Sequence, residues 1–436
     1  MKTIRIGAGA GFAGDRIDPA IDLARDGKLD YLVFECLAER TIALAQLAKR
    51  QNRSPGFDPM LRMRMEAVLP LCVANRTRII TNMGAANPEA AARETISVAQ
   101  SLGLSGIRVA WISGDDVMHL LADHASHDPR EHLVSANAYL GIEPIVDCLR
   151  GNAHVIITGR VADPSLFLAP MVHEFGWALD DWTHLGQGTA IGHLLECAGQ
   201  LTGGYFADPG FKNVPDLDRI GFPIAEVSET GEALLSKLDG AGGALTVRNC
   251  KEQILYEVQD PSRYLTPDVT ADFSTTCFAE LGPNRIHVSG ARGVERPINL
   301  KVSAGFAAGS IAEGQISYAG VGALPRARLA RHILESRLGW ISPGDLRMDF
   351  IGIDSMHGAA LSESGREPYE VRLRAAGRFF DESDARRLMH EVESLYVNGP
   401  AGGGGVVTSI RENIAMDATF LSRSLVRPTI GIEVAS

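Results

Sequence analysis

Short apolar runs alternate with longer helical stretches through the first part of the chain. Helical periodicity is clear at Thr41–Arg53 and Pro88–Leu102. The apolar runs predict strands at Thr3–Ala8, Tyr31–Glu35, Arg78–Thr81, Ile107–Ile112 and His154–Thr158. This alternation predicts an α/β fold with a mostly parallel sheet that is flanked by helices on both faces.

The pattern changes from Asn299 onward. Strands are predicted near 299–304, 314–319, 347–353 and 369–378, with helices at Pro325–Leu338 and Glu382–Tyr396 and a final strand region after Gly405. This order predicts an α+β sandwich with helices on one face of an antiparallel sheet. We therefore expect an α/β domain at 1–290 that carries the candidate active site. A C-terminal α+β domain at 298–436 would carry a second glycine loop, Asn398–Gly405.

Composition narrows the class of protein. The 436-residue chain has a net charge of −11, which argues against nucleic acid or an anionic membrane surface as its main partner. Its six cysteines form no C-x-x-C pair, so we expect reduced thiols and no zinc knuckle. The chain starts without a signal-peptide pattern and contains no apolar run of the ~20 residues that a membrane helix needs, so a cytoplasmic protein is expected.

A glycine-rich loop follows the first predicted strand. Gly9, Gly11 and Gly14 match the dinucleotide fingerprint, but Pro19 would lie inside the helix that this fingerprint requires. We therefore predict that the helix starts at Asp18 and that the loop before it holds a substrate anion through backbone N–H groups. Two alternatives remain open: a structural turn whose glycines only relieve backbone sterics, and an NAD site.

The end of this loop carries two candidate functional side chains, Asp15 and Arg16. Arg16 is a candidate clamp for a substrate carboxylate, and Asp15 is a candidate catalytic base or orienting group. The alternative is a local ion pair that fixes the loop.

Polar residues also follow the other predicted strands, whose carboxyl ends meet at one edge of a parallel sheet. Glu35 follows four apolar residues and is a candidate catalytic acid or base, with Glu39 and Arg40 close behind it. The remaining candidates bind substrate: Asn82 as a polariser of a carbonyl group, Asn137, Arg160 as an anion ligand, and Asp163. Asp163 precedes a proline, so a helix cap is its alternative role.

A stripe of four polar residues lies on a predicted buried helix near 183–203. The spacing places Thr189, His193, Glu196 and Gln200 on one face among apolar residues. Buried polar groups need partners, so His193 and Glu196 are candidates for an acid–base pair. A structural hydrogen-bond network remains the alternative. Two ligands at this spacing do not make a metal site, so no metal site is predicted, although a divalent metal is not excluded.

Taken together, short sequence segments along nearly the whole chain resemble segments of the acyclic terpene utilisation (AtuA) family. The matching segments are the loop that ends in Gly14-Asp15-Arg16, Cys36–Thr41, Gly159–Asp163, Gly192–Cys197, Tyr264–Asp268, Glu313–Tyr318 and Asn398–Gly405. The resemblance implies a catabolic protein from the breakdown of branched terpene acids as acyl-CoA intermediates. Many relatives carry a small extra domain, so the resemblance also implies a separate small partner subunit.

These observations favour a lyase, specifically a hydratase or dehydratase. Its substrate would be a small or branched unsaturated carboxylic acid or its CoA thioester, without a further cofactor and in a homo-oligomer. Arginines would hold the carboxylate, while Glu35 or the His193–Glu196 pair would move protons and Asn82 would stabilise an enolate-like intermediate. The alternatives are a non-catalytic ligand-binding or scaffold subunit of a degradation assembly, and an NAD-binding oxidoreductase.

Overall fold

The computed structural model describes residues 2–121, 124, 126–362 and 368–436. The strands are β1 (Thr3–Ala10), β2 (Tyr31–Phe34), β3 (Arg78–Thr81), β4 (Arg108–Ser113), β5 (His132–Ala138), β6 (Val155–Thr158), β7 (Pro223–Ser228), β8 (Ala233–Lys237), β9 (Tyr264–Leu265), β10 (Thr270–Asp272), β11 (Cys277–Gly282), β12 (Arg285–Ser289), β13 (Arg292–Val294), β14 (Asn299–Ala319), β15 (Leu346–Ile351), β16 (Glu370–Phe379), β17 (Gly404–Ser422) and β18 (Thr429–Val434). The helices are α1 (Asp18–Asp26), α2 (Glu39–Arg50), α3 (Leu61–Asn75), α4 (Pro88–Ser101), α5 (Glu143–Arg150), α6 (Ser165–Phe175), α7 (Trp182–Leu195), α8 (Val247–Leu255), α9 (Ala323–Arg337) and α10 (Glu382–Asn398).

A ten-stranded sheet organises the larger part of the molecule. Its order is β11-β12-β8-β7-β1-β2-β3-β6-β4-β18, and the central strands β1, β2, β3, β6 and β4 run parallel. Antiparallel strands extend this centre on both sides. The predicted fold class, a mostly parallel sheet with flanking helices followed by an α+β part, is confirmed.

The central strands are apolar because both faces of the sheet are covered. All four residues of β2 and all four of β6 are buried, which is the pattern expected for parallel strands between two helix layers. The loops that follow β1, β2, β3 and β6 therefore meet at one edge of the sheet, where ligands bind in folds of this kind.

Helix α1 begins at Asp18, as predicted, with Pro19 in its first turn. Its first turn therefore lies beyond the glycines, which differs from the dinucleotide fingerprint, in which the helix begins among them. Helix α4 begins after Asn87, whose side chain accepts a hydrogen bond from the N–H of Ala90. Within the described ranges, no helix combines the length and apolar character needed to cross a membrane.

The chain forms two compact units. Among the described residues, the first unit takes those within 1–123, 134–305 and 416–436, and the second takes those within 124–133 and 306–415. This division differs from the predicted boundary at 290–298, because the last strand, β18, pairs with β4 in the ten-stranded sheet. Sequence periodicity identifies a strand but does not identify its partner.

The second unit contains an antiparallel sheet, in which β14 pairs with β16 and β16 with β15. Buried side chains of α9, α10 and the sheet form its core, including Leu334, Leu388 and Val392. The prediction of two strands at 299–304 and 314–319 was wrong, since a single strand spans both. Gly309 has a φ of 76°, and a Cβ there would lie 2.1 Å from the carbonyl oxygen of Phe379, so glycine is required where the strand continues.

Candidate active site

Two adjoining cavities lie where the carboxyl ends of the parallel strands meet the end of α7. Cavity 1 has a volume of about 610 Å³ and cavity 2 about 640 Å³, each large enough for a small-molecule ligand. They share the lining residues Glu39, Asp163, Glu196 and Glu257, which we call the neck. The lining of the two cavities thus comes from segments that are far apart in the sequence.

The glycine loop after β1 holds the carboxylate of its own Asp15. The N–H groups of Gly11 and Arg16 each donate to this carboxylate at 2.8 Å. The guanidinium of Arg16 donates to the carbonyl oxygen of Asp218 at 2.6 Å and lines cavity 2. The alternative of a local Asp15–Arg16 ion pair is not what the structure shows, because backbone N–H groups hold the Asp15 carboxylate and the Arg16 guanidinium lies against Asp218. Burial raises the pKa of Asp15.

The glycines of the loop permit close packing. A Cβ on Gly9 would lie 2.7 Å from the ring of Phe34, and one on Gly11 would lie 2.5 Å from the backbone of Cys197. At Gly14 the nearest atoms belong to the ring of Phe12 at 2.7 Å. Gly11 therefore allows the loop to contact the backbone just after α7, and this contact joins two sides of cavity 2.

Arg64, which was not among the residues predicted for the site, is fully buried on α3. Its Nη2 donates to the carbonyl oxygen of Ala13 at 2.9 Å, and its Nη1 lies 3.0 Å from the Sγ of Cys36 and 3.6 Å from the carboxylate of Asp58. Arg64 thus ties the loop after β1 to the segment after β2. No local motif marks it, because its role depends on contacts between distant segments.

Glu35 is buried and lines cavity 2. Its Oε1 accepts hydrogen bonds from the N–H of Leu37 at 2.8 Å and from the Nδ2 of Asn82 at 2.9 Å. Asn82 is fully buried, and its Oδ1 accepts from the N–H of Cys36 at 2.7 Å. Burial raises the pKa of Glu35 to about 8, with a contribution from the negative charge of Asp163. Asn82 therefore orients Glu35, rather than lining a cavity.

Arg160 is buried behind the cavities, with only 1% of its surface exposed. Its Nε donates to the carbonyl oxygen of Val161 at 2.9 Å, its Nη1 to that of Leu37 and its Nη2 to the carboxylate of Asp163. Asp163 lines both cavities. The alternative role of Asp163 as a helix cap is wrong, since the capping position of α6 is Pro164 and no side chain caps the helix. Arg160 instead neutralises Asp163.

Asn137 contacts Arg160 indirectly, through the carboxylate of Asp115. Its Nδ2 donates to the carboxylate of Asp115 at 2.8 Å, and this carboxylate accepts the N–H of Arg160 at 3.0 Å. Burial raises the pKa of Asp115 to about 6. Asn137 is 1% exposed and lines neither cavity, so it lies outside the surface that a ligand would touch.

Tyr139 and Lys301 complete one side of the neck, and sequence analysis identified neither. The hydroxyl of Tyr139 donates to Glu39 at 2.6 Å, and the Nζ of Lys301 donates to the same oxygen at 3.2 Å. The ring of Tyr139 lies between Arg160, at 4.6 Å, and Lys301, at 4.8 Å. Burial alone would raise the pKa of Glu39, but these hydrogen bonds and cations hold it at about 2.

His193 and Glu196 form a buried pair at the end of α7. The Nδ1 of His193 lies 2.7 Å from the Oε1 of Glu196, and the imidazole stacks on Phe273 at 5.5 Å. Burial lowers the pKa of His193 to about 4. Burial and the negative charges of Asp163 and Glu257 raise the pKa of Glu196 well above its usual range. Burial thus favours the uncharged form of both side chains.

The outer atoms of this pair have no hydrogen-bond partner within the described part of the chain. These atoms are the Nε2 of His193 and the Oε2 of Glu196, and both residues line cavity 1. The predicted polar stripe is only partly helical, because α7 ends at Leu195 and Gln200 lies in the 3₁₀ turn that follows. Thr189 and Gln200 also have side-chain atoms without a partner there.

Three of the ten described non-glycine residues with a positive φ lie at or beside the lining of cavity 2. Ala198 (φ 43°), Tyr205 (φ 63°) and Glu257 (φ 59°) adopt left-handed conformations that non-glycine residues rarely take. Tyr205 and Glu257 line cavity 2, and Ala198 lies between the lining residues Cys197 and Gly199. Such strain clusters at functional sites, where surrounding structure maintains it.

The comparison with protein families assigns the chain. The family described as acyclic terpene utilisation family protein AtuA matches residues 4–432. The chain belongs to the AtuA family. The resemblance seen in the sequence is thereby confirmed over nearly the whole chain, and the converging strand-end loops belong to segments that the AtuA match covers. No curated protein and no solved structure matches this AtuA-family chain.

Among the residues that the structure describes, no three His, Cys, Asp or Glu side chains are grouped so as to hold a metal ion. Three of the four neck residues are engaged with other side chains: Asp163 with Arg160, Glu39 with Lys301 and Glu196 with His193.

Proposed function

We propose that this AtuA-family protein is a lyase, a hydratase or dehydratase, that acts on a small or branched unsaturated carboxylic acid or its CoA thioester. The observation that carries the proposal is the buried His193–Glu196 pair, whose outer atoms have no partner in the described structure. A second proton-carrying group, Glu35, lies in the adjoining cavity. Hydration of a double bond needs both an acid and a base, and the two adjoining cavities each supply one proton-carrying group.

The proposed step adds water across a carbon–carbon double bond. The water oxygen bonds to the carbon distant from the carbonyl group, one water proton passes to a base, and a proton from an acid bonds to the carbon next to the carbonyl. Neutral His193 is the base and protonated Glu35 is the acid, since burial moves their pKa values in opposite directions. Dehydration reverses these transfers, and no oxidant or reductant is needed.

The roles of the other sequence candidates follow from their contacts. Asn82 positions Glu35, and Arg160 positions Asp163 and neutralises it. Arg16 remains at the surface of cavity 2, where it is the candidate contact for a polar part of the substrate. The N–H groups of Gly11 and Arg16 serve Asp15, so oxyanion stabilisation is assigned to the protonated carboxyl groups.

Apolar side chains in cavity 1 support a hydrocarbon substrate. Leu265, Ile298, Leu300 and Phe420 line it together with the His193–Glu196 pair. Three of them are largely exposed to the cavity or to solvent: Leu265 is 50% exposed, Ile298 84% and Phe420 60%. A branched acyl chain would cover these surfaces at a gain of ~25 cal/mol per Å².

Turnover of unsaturated thioesters tests the proposal. The absorbance of the conjugated double bond of 3-methyl-2-butenoyl-CoA should decrease with the wild-type protein. His193→Asn and Glu35→Gln should reduce the rate by about a hundredfold or more, since general acid–base catalysis contributes factors of this size. Glu280→Gln, an exposed change of the same charge on β11, is the matched control and should retain the wild-type rate.

Binding without turnover would contradict the proposal. It would favour a ligand-binding subunit instead, and it is measured by titration calorimetry with the same thioester. A rate in His193→Asn equal to that of the wild type would remove the assigned base.

A further inference from the structure

We infer that the acyl group enters the neck in an uncharged form, as an ester, thioester or amide, and that the free carboxylate is excluded. The inference rests on the proposed function for the acyl nature of the ligand. It concerns binding alone and is tested without turnover.

Carboxyl groups dominate the lining of the two cavities. They are Asp15, Glu35, Glu39, Asp163, Glu196 and Glu257. Burial favours the uncharged form of Glu35 and of Glu196, so the negative charge that opposes a second anion in the neck comes from Glu39 and Asp163, each beside one cation, and from Glu257. A ligand carboxylate would therefore need a cation of its own in the neck.

The cations near the neck are already engaged. Arg160 donates to two carbonyl oxygens and to Asp163, and it lines neither cavity. Lys301 donates to Glu39 at 3.2 Å. The guanidinium of Arg16 donates to the backbone carbonyl of Asp218 and lines cavity 2 alone, outside the neck.

Arg263 is the remaining cationic side chain on cavity 1, and it is exposed to solvent. An exposed ion pair contributes only ~0–1 kcal/mol, because water and salt screen it. This is less than the cost of bringing a carboxylate between Glu39, Asp163 and Glu257 and removing its water. Arg263 therefore does not offset the exclusion.

The unpartnered buried atoms suit a neutral carbonyl group. The Nε2 of His193 and the Oε2 of Glu196 lack partners within the described structure, and their residues are 2% and 8% exposed. A carbonyl oxygen accepts hydrogen bonds from N–H and O–H groups without adding charge. Because His193 acts as a base through an unprotonated Nε2, the donor of the pair is the Oε2 hydroxyl of Glu196, and an uncharged acyl carbonyl accepts from it without the electrostatic cost that an anion would meet.

A matched set of unreactive saturated probes tests the inference at pH 7. The probes are 3-methylbutanoate, its nearly isosteric amide and its S-methyl thioester, titrated into the full-length protein by ligand-observed NMR. The amide and the thioester should bind at least about tenfold tighter than the carboxylate, which corresponds to ~1.4 kcal/mol.

The Glu39→Gln variant tests directly whether negative charge in the neck weakens the binding of the carboxylate. It preserves an acceptor for Tyr139 but leaves Lys301 without its anionic partner, so the carboxylate should bind about threefold tighter and the amide about equally. Glu280→Gln makes the same change of charge on β11 and should change neither affinity.

A carboxylate that binds as tightly as the amide overturns the inference, and so does the absence of binding by both uncharged probes. Failure of the lyase proposal gives a different result, because the preference for uncharged probes persists without turnover. Conversely, hydration of a free acid that also binds better than its amide overturns the inference and leaves the lyase proposal standing.

Discussion

Glu35 and His193 have pKa values that burial moves in opposite directions. The carboxylic acid is favoured at Glu35, with a pKa of about 8, and the neutral imidazole at His193, with a pKa of about 4. Each residue is oriented by a neighbour, Asn82 for Glu35 and Glu196 for His193. At neutral pH one side chain therefore holds a proton to give, and the other has a site to accept one.

Glu35→Gln should make the stability of the protein less dependent on pH. The Glu35 carboxyl group titrates at 4.5 in an unfolded chain and at about 8 in the fold. Between these values the folded state binds the extra proton, so stability falls as pH rises, by at most ~1.4 kcal/mol per pH unit. Urea unfolding at several pH values between about 5 and 8 should give a flatter curve for the variant. Parallel curves for wild type and variant would contradict this assignment, and Glu280→Gln is the control.

Arg64→Met should destabilise the fold by about 3–5 kcal/mol, because it leaves the buried carboxylate of Asp58 without its cation and frees the carbonyls of the glycine loop. Adding Asp58→Asn should recover part of this loss. Denaturant titrations of the single and double variants measure both effects. If the double variant is no more stable than Arg64→Met, the ion pair is not the reason for the loss.

Single residues differ in how far the sequence reveals them. Glu35, Glu196 and Asp163 were found because strand ends and helical spacing place them on one edge. Arg64, Tyr139 and Lys301 were missed, since each acts through contacts with segments distant in sequence. Arg160 was predicted to bind a substrate anion because of its charge, but in the structure it binds Asp163 and backbone carbonyl groups. Such contacts between distant segments cannot be read from the sequence.

At the scale of elements, the contact between the β1 loop and the end of α7 shapes cavity 2. Gly11 lies against the backbone of Cys197, directly after Glu196. Asp15, whose pKa is raised by burial, lies in this loop. Ala198, which has a left-handed backbone conformation, lies just after the end of α7. The spacing of the loop and the helix end therefore sets the distance between the glycine loop and the His193–Glu196 pair.

Gly11→Ala should push these two elements apart. The added Cβ would lie 2.5 Å from the Cys197 backbone, which cannot move as a flexible side chain can. We expect a loss of about 1–3 kcal/mol in stability and weaker binding of the amide probe. Gly404→Ala is the matched control, because no atom lies within 4 Å of its Cβ position and its backbone is not left-handed. Unchanged stability and binding in Gly11→Ala would show that the contact is not tight.

Local patterns identified most elements near the site but not all of their limits. The start of α1 was predicted because Pro19 fits a first turn and not a helix interior. The helix at 183–203 was predicted too long, since Ala198 turns the chain into a left-handed conformation. Gly199 follows directly and disfavours a helix, and Gly11 of the β1 loop packs against the backbone of Cys197 at this point.

At the scale of the whole molecule, the first unit is assembled from both ends of the chain. β1 lies at the centre of the ten-stranded sheet, and β18 closes the edge beside β4. The predicted domain boundary does not assign β18 to the first unit, because its alternating sequence pattern is compatible with the ten-stranded sheet and with the sheet of the second unit. Strand partners are set by tertiary contacts that a single sequence does not display.

Deleting residues from Arg427 onward should destabilise the first unit and promote association. The deletion removes β18, which pairs with β4 over the register Thr429–Ser113 to Val434–Arg108, and leaves β4 as an open edge. Denaturant unfolding and size-exclusion chromatography measure the two effects. Glu433→Gln, a point change within β18, is the control, and a deletion variant as stable and monodisperse as this control would contradict the role of β18.

The proposal that one joined cavity moves protons onto an acyl substrate is tested most directly by isotope transfer. Proton NMR would follow the 3-methyl-2-butenoyl thioester in D₂O with wild-type protein and with Glu196→Gln. We expect deuterium at the carbon next to the carbonyl with the wild type, and a rate lower by about a hundredfold or more with the variant, although it still binds the thioester. Bound thioester without deuterium transfer by the wild type, or equal transfer by both proteins, would contradict the account.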